Sequence, residues 1–168
     1  MKTAPLLALL LAWAAVAEAQ VPHIIGTWTL NVAASRLPGP PPRTHVRKYS
    51  LGPDGTLVGL AIVVDAAGNP DFLQFAGRSD GKDYPEFNSL ILARWQVQGT
   101  KTPREYTERP VDERTVEWAD KVEGRVVASG RKWVSPDGRT LSFTADSRNA
   151  QGQPAPLLFV FDRQEASK

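Results

Sequence analysis

Pro53-Asp54-Gly55 and Pro136-Asp137-Gly138 are two turns of identical composition, and each lies between two short segments of alternating residues. Proline presets the backbone for the first turn position, and glycine supplies the left-handed conformation that the end of such a turn needs. Turns of this kind join neighbouring antiparallel strands into hairpins. Together with four further glycine-containing breaks at similar spacing, the two turns predict an antiparallel β-meander.

Short strand segments follow one another along the chain, and no window of a dozen residues has the period of an amphipathic helix. We expect nine or ten strands among residues 24–30, 44–51, 56–64, 72–78, 82–87, 90–97, 105–109, 115–121, 125–134, 139–147 and 157–163. One helical turn is expected at residues 31–37, where Asn31 can cap it. Sequential hairpins without a long crossover predict an all-β, up-and-down barrel of 8–10 strands, because closure removes exposed strand edges.

The N-terminus has the pattern of a secretion signal. Lys2 supplies a positive charge, residues 6–17 are apolar, and Ala17-Glu18-Ala19 has the small residues of a cleavage site. The apolar run is too short to span a bilayer. We therefore expect residues 1–19 to be removed and residues 20–168 to form one domain, exported to the periplasm or outside a bacterial cell.

Composition excludes several kinds of site. The chain has no cysteine, so it has no disulfide, no thiolate nucleophile and no cysteine metal site. Its two histidines, His23 and His45, are far apart in sequence, and no G-x-S-x-G elbow or glycine-rich phosphate loop is present. A net charge of +2 without a basic stripe argues against nucleic-acid binding. No catalytic residue, metal, cofactor or membrane span is predicted, and a monomer is expected.

Turn geometry predicts a register for the second half of the chain. A two-residue loop at Glu123-Gly124 would pair Trp118 with Ser129, and a three-residue loop at residues 136–138 would pair Arg131 with Phe143. One face of the three strands then carries Val116, Trp118, Asp120, Val127, Ser129, Arg131, Trp133, Leu141, Phe143 and Ala145. The opposite face is almost entirely polar, so the first face is expected to point inward.

The hairpin at residues 44–64 gives a register but no orientation. The register of its turn places two sets of residues on the same face of the hairpin: His45, Arg47, Tyr49 and Leu51 from one strand, and Leu57, Gly59, Ala61 and Val63 from the other. Neither this face nor the opposite one is cleanly apolar. The sequence therefore leaves open which of them points into the barrel.

Three features resemble a known group of barrels. Gly26-Thr27-Trp28 lies in the first predicted strand, a Pro/Gly-rich loop at residues 38–42 follows it, and Phe161-Asp162-Arg163 lies in the last. In these features the chain resembles the calycin-type barrels, lipocalins and fatty-acid-binding proteins, and most closely the small exported lipocalin-like domains of bacteria. The resemblance implies that Trp28 packs against Arg163 and closes one end of the barrel. A buried core aromatic is the simpler interpretation of Trp28.

Arg131 is the unusual member of the predicted inward face, because a buried guanidinium needs an anion or a polar network. The resemblance to fatty-acid-binding barrels, which hold a ligand carboxylate with an interior arginine, implies that Arg131 anchors an anionic group. Trp118, Trp133 and Phe143 would then line the apolar part of the site, with Ser129 and Asp120 beside them. The alternative is a permanent ion pair between Arg131 and Asp120 inside a core that the aromatic residues fill.

Three functions are compatible with this pattern. The first is an exported barrel that binds a small, largely apolar or amphiphilic molecule, which could carry a carboxylate. The second is a non-catalytic interaction module with a packed core, and the third is a barrel-scaffold enzyme such as an isomerase or hydrolase. A cavity of a few hundred Å³ is expected for the first and a filled interior for the second, while a pocket with two ionisable groups of strongly shifted pKa is expected for the third.

Overall fold

The computed structural model of the chain describes residues 22–88, 104–146 and 153–165. The predicted signal peptide, its cleavage after Ala19 and the predicted strand at 90–97 lie outside the described residues. Within the described ranges no helix is long and apolar enough to cross a membrane.

The described residues form ten antiparallel strands in one closed barrel. Each strand pairs with the next along the chain, and β1 closes the barrel by pairing with both β2 and β10. This confirms the predicted all-β, up-and-down barrel. The strands are β1 (Gly26–Leu30), β2 (Thr44–Leu51), β3 (Leu57–Val64), β4 (Pro70–Gly77), β5 (Asp83–Asn88), β6 (Arg104–Pro110), β7 (Thr115–Val122), β8 (Arg125–Val134), β9 (Thr140–Ala145) and β10 (Leu157–Arg163).

The predicted helical turn at residues 31–37 is wrong. The side-chain oxygen of Asn31 accepts a hydrogen bond from the Ala34 amide at 3.1 Å, but the chain makes only a turn. It then returns to the barrel, where the Arg36 amide donates to the Leu158 carbonyl at 2.7 Å. A short 3₁₀ helix occurs instead at Pro22–Ile24, so the first strand begins two residues later than predicted.

The register predicted for the first hairpin is confirmed. His45 pairs with Val63, Arg47 with Ala61 and Tyr49 with Gly59. This face points into the barrel, where Tyr49 is buried. Neither face of this hairpin is purely apolar, because polar groups lie inside the barrel and apolar groups such as Ile62 lie outside it.

The register predicted for β8 is wrong by one residue on both sides. Trp118 pairs with Gly130 and not with Ser129, and Phe143 pairs with Lys132 and not with Arg131. Strand β8 therefore presents its other face to the interior. Lys132 and Val134 are buried there.

Two local irregularities cause this reversal. A β-bulge between Asp120 and Lys121 inserts an extra residue in β8, where Val126 and Val127 are both exposed. In the second Pro-Asp-Gly turn, the Ser135 hydroxyl accepts a hydrogen bond from the Thr140 amide at 3.0 Å. The connecting loop consequently has four residues, 136–139, and not three. The two shifts cancel at β9, whose Leu141 and Phe143 point inward as predicted.

Trp28 of the first strand and Arg163 of the last strand are in contact. Trp28 is fully buried, and its indole N–H donates to the Ile24 carbonyl at 2.8 Å. The Arg163 guanidinium lies 4.1 Å above the Trp28 ring. Its nitrogens donate to the backbone carbonyls of His23, Ile25 and Gly138. The contact between Trp28 and Arg163 is thus present, while its importance for closing the barrel stays a prediction.

Candidate functional site

The barrel contains an interior cavity of about 70 Å³. A cavity of this size holds a few water molecules or a small polar group, whereas sites for drug-sized ligands have about 300–1,000 Å³. It is smaller than the sequence-based hypothesis of a ligand barrel requires. Its lining residues are Arg47, Leu73, Phe75, Glu86, Tyr106, Trp118, Asp120, Lys132 and Phe143.

Two hydrogen-bond donors on the cavity wall have no acceptor. The Nε of Arg47 and the Nε1 of Trp118 are both buried, and neither has a partner among the described residues. Buried donors are almost always paired, because each unpaired one costs about 1–3 kcal/mol. These two donors, on the opposite strands β2 and β7, are therefore available to acceptor atoms of a ligand.

Arg47 differs from the other interior cations of the described chain. Its guanidinium stacks 4.3 Å from the Phe143 ring centre and donates to the Tyr49 hydroxyl at 3.3 Å. No carboxylate among the described residues forms an ion pair with it. A guanidinium in this position retains the capacity to bind an anion.

Lys132 forms the centre of a second polar group. Its ammonium, 3% exposed, donates to the Glu108 carboxylate and to the Tyr106 hydroxyl, both at 2.9 Å. Tyr106 also donates to Glu108, and Ser79 donates to the other carboxylate oxygen. Burial, with the Glu108 charge beside it, raises the pKa of the Tyr106 phenol, so this group stays a donor. Lys132 and Glu108 thus neutralise each other.

A third polar group has two carboxyls and one cation. Arg104 donates through Nε to Glu86 and through Nη2 to Asp120, the latter at 3.0 Å. Glu86 is 1% exposed. Burial first, and the neighbouring Asp120 carboxylate second, raise the pKa of Glu86 to about 7. Burial also raises the pKa of Asp120, against the opposing effects of Glu86 and Arg104.

His45 is neutral inside the barrel. Burial, followed by the positive charge of Arg47, lowers the pKa of His45 to about 3. Its ring packs edge-on against Phe161, with ring centres 4.9 Å apart. The imidazole therefore adds no charge to the interior at neutral pH.

The structure divides the predicted site residues into two sets. Trp118, Asp120 and Phe143 line the interior cavity. Arg131, Ser129 and Trp133 lie on the other face of their strand because of the reversed register. Their predicted interior position is wrong, and Arg131 and Ser129 line a broad outer depression of about 520 Å³.

Arg131 finds its partner on the outside of the barrel. Its side chain is 61% exposed and pairs with Glu117 at 2.9 Å. The predicted alternative, an ion pair between Arg131 and Asp120, is also wrong, since Asp120 pairs with Arg104. Ser129 donates to Asp146 at 2.7 Å, likewise on the outer surface.

Sequence reasoning missed Arg47, Lys132 and Glu86 as interior groups. One signal was available for Arg47, because a strand carrying His45, Arg47 and Tyr49 on a single face has an unusual mixture for either side of a sheet. Lys132 was missed because the bulge in β8 and the length of the second Pro-Asp-Gly turn were not foreseen.

Comparisons with known proteins support the fold. Neither a protein family nor a curated protein matches the chain. Among solved structures, the fluorescent protein UnaG is similar with a TM-score of 0.52 at 12% identity, over 86% of this chain and 99% of UnaG. The designed barrel EF1p2_mFAP2b bound to DFHBI is similar with a TM-score of 0.45 at 9% identity, over 88% of this chain and 99% of that chain. The likeness to UnaG is a likeness of fold, and it agrees with the calycin-type barrel that the sequence resemblance implied.

Proposed function

We propose that the barrel binds a small, largely apolar molecule that carries an anionic group, with the anion held by Arg47 and Trp118. The observation that carries this proposal is the pair of buried, unpartnered donors, Nε of Arg47 and Nε1 of Trp118, whose residues line the cavity from the opposite strands β2 and β7. The oxygens of a bound anion would supply acceptors for these donors. This site replaces the one that the sequence placed at Arg131.

Charge balance favours Arg47 over the other interior cations as the anion-binding group. Lys132 is occupied by Glu108, and Arg104 is occupied by Glu86 and Asp120. Among the described residues, Arg47 donates to the Tyr49 hydroxyl and stacks on Phe143. A carboxylate or sulfonate would therefore gain a charge-assisted hydrogen bond without breaking an existing ion pair.

The cavity size defines how the ligand would sit. The present volume of about 70 Å³ accommodates the anionic group. The apolar remainder would contact Leu73, Phe75 and Phe143, and side chains of this lining would have to move to make room for it. We further propose that the predicted signal at residues 1–19 directs this binding activity out of the cytoplasm of a bacterial cell.

Replacing Arg47 by methionine is expected to abolish binding of organic acids. Methionine keeps the length and apolar contacts of the side chain but removes the guanidinium. In titrations of fatty acids and aromatic acids followed by tryptophan fluorescence, wild type should bind at least one acid, and Arg47→Met should bind it at least tenfold more weakly. A charge-assisted hydrogen bond of about 1.5–3 kcal/mol corresponds to a loss of this size.

Arg131→Met is the matched control. It removes the same group from the outer surface, so it should bind the acid as wild type does. Equal binding by Arg47→Met and wild type would show that Arg47 does not hold the anion.

A packed interaction module stays the second candidate, and one observation supports it. Ile62 on β3 and Phe87 on β5 are 45% and 47% exposed on the outer face. Exposed apolar side chains of this kind can meet a protein partner. This candidate differs in its expectation for the same titration, because no acid in the panel would bind wild type.

A further inference from the structure

Glu86 and Asp120 share a single close cation. Arg104 bridges the two carboxyls, and both carboxyls line the same cavity as Arg47. The Oε2 of Glu86 is buried and has no donor among the described residues. It belongs to a carboxyl that shares the Arg104 guanidinium with Asp120, and two buried carboxyls on one cation favour binding of a proton by one of them.

The charged groups around this pair come from every neighbouring element. On β6 and β8, Lys132 and Glu108 neutralise each other. On β4, Leu73 and Phe75 add no charge. The second positive charge that acts on Asp120, besides Arg104, is therefore mainly that of Arg47 on β2, with a smaller effect of Lys132. The facing titratable and charged groups are Arg47, Arg104, Tyr106, Glu108, Asp120 and Lys132.

An anion bound at Arg47 would use the positive charge that helps to balance the two carboxylates. One carboxylate would then be left in a buried place without a counter-charge, which is costly. Uptake of a proton by one of the two carboxyls removes that cost.

Resting on the proposed function, we propose that binding of an anion at Arg47 is linked to uptake of one proton, which Glu86 and Asp120 share. The proton comes from solvent and adds to a carboxylate oxygen, and no other bond forms or breaks. The site would therefore bind an acid together with its proton, and it would bind more tightly as the pH falls.

The ionisation behaviour of the pair places this linkage in the neutral range. Burial and Asp120 raise the pKa of Glu86 to about 7. His45 does not titrate there, since its pKa is lowered to about 3. The affinity for a permanently charged anion should thus be nearly constant below pH 6 and fall about tenfold per pH unit above pH 7.

Benzenesulfonate is a suitable probe, because its sulfonate stays ionised throughout this range. Isothermal titration calorimetry at pH 6 and pH 8 should show about tenfold weaker binding at pH 8. Titrations at pH 8 in two buffers with different ionisation enthalpies should show uptake of about one proton for each bound molecule.

Two variants identify the groups. Glu86→Gln imitates the protonated pair, so its affinity should stay at the pH 6 value of wild type at both pH values, without proton uptake. Asp120→Asn should also lose the pH dependence. Glu117→Gln, which removes an outer carboxylate, should keep it.

The outcomes separate the two proposals. Binding with the same affinity at pH 6 and pH 8, without proton uptake, would overturn the linkage and leave the anion site intact. Unchanged pH dependence in both Glu86→Gln and Asp120→Asn would also overturn it. Absence of binding at both pH values would overturn the proposed function, and the linkage with it.

Discussion

Replacing Lys132 by methionine should destabilise the protein by about 3–5 kcal/mol, the usual effect of removing one partner of a buried ion pair. Methionine fills nearly the same space, so the loss arises from charge and not from a cavity. It leaves the Glu108 carboxylate, 2% exposed, with neutral donors only. Urea unfolding of both proteins at one pH measures the difference.

The double variant Lys132→Met/Glu108→Gln provides the control for this prediction. Glutamine keeps one acceptor oxygen for Tyr106 or Ser79, its amide nitrogen can donate to the other hydroxyl, and it carries no charge. The double variant should therefore recover most of the lost stability. A single variant that loses less than about 1 kcal/mol would mean that Lys132 is not buried in this pair. A double variant as unstable as the single one would show that charge is not the cause.

Replacing Trp28 by alanine should cost about 3–5 kcal/mol, the usual range for a buried tryptophan. The variant removes a fully buried ring, its hydrogen bond to the Ile24 carbonyl and the surface on which Arg163 lies. The free energy of unfolding in urea is again the measurement.

Trp133→Ala is the comparison variant for Trp28. Trp133 lies half-buried on the outer face of β8, so its loss should cost clearly less. If Trp28→Ala costs less than about 1 kcal/mol, Trp28 does not close the barrel end. The comparison with lipocalins would then fail at its most specific point.

The sequence determined the fold well, because strand punctuation and pairing of neighbours are local properties. The turn at Pro53-Asp54-Gly55 fixed the register of β2 and β3 throughout their length. The second Pro-Asp-Gly turn looks alike but pairs differently, since Ser135 precedes it where Gly52 precedes the first. The Ser135 hydroxyl supplies a hydrogen bond that glycine cannot make.

The candidate site was harder to predict, because its location depends on two single-residue shifts. A bulge within β8 and the longer turn after it exchange the inward and outward faces of β8. The neighbouring strands β7 and β9 keep the faces that were predicted. The predicted inward face was therefore mostly apolar, as expected, although the residues assigned to it from β8 point outward. As a result, Lys132 points inward and Arg131 points outward. The alternation of polar and apolar residues could not reveal the register shift, because the interior also contains polar residues.

The interior polarity is the feature that connects fold and function in this account. Apolar burial alone would give a solid barrel, whereas Glu86, Glu108 and Lys132 are buried and each is paired with an opposite charge. Glu86 and Lys132 also line the small cavity. Arg47 and Trp118 line it and carry buried donors, Nε and Nε1, that have no acceptor in the described part of the chain. We propose that these two donors bind the anion of the ligand.

The indole N–H resonance of Trp118 tests this claim most directly. A ¹⁵N-labelled sample is titrated with the acid that binds in the fluorescence panel, and Trp118→Phe assigns the signal. We predict that the Trp118 N–H resonance moves downfield as it gains an acceptor, while that of Trp28, already bonded to Ile24, hardly changes. In Arg47→Met the Trp118 shift should be lost. Saturation of the protein by the acid with an unmoved Trp118 N–H resonance would contradict the account.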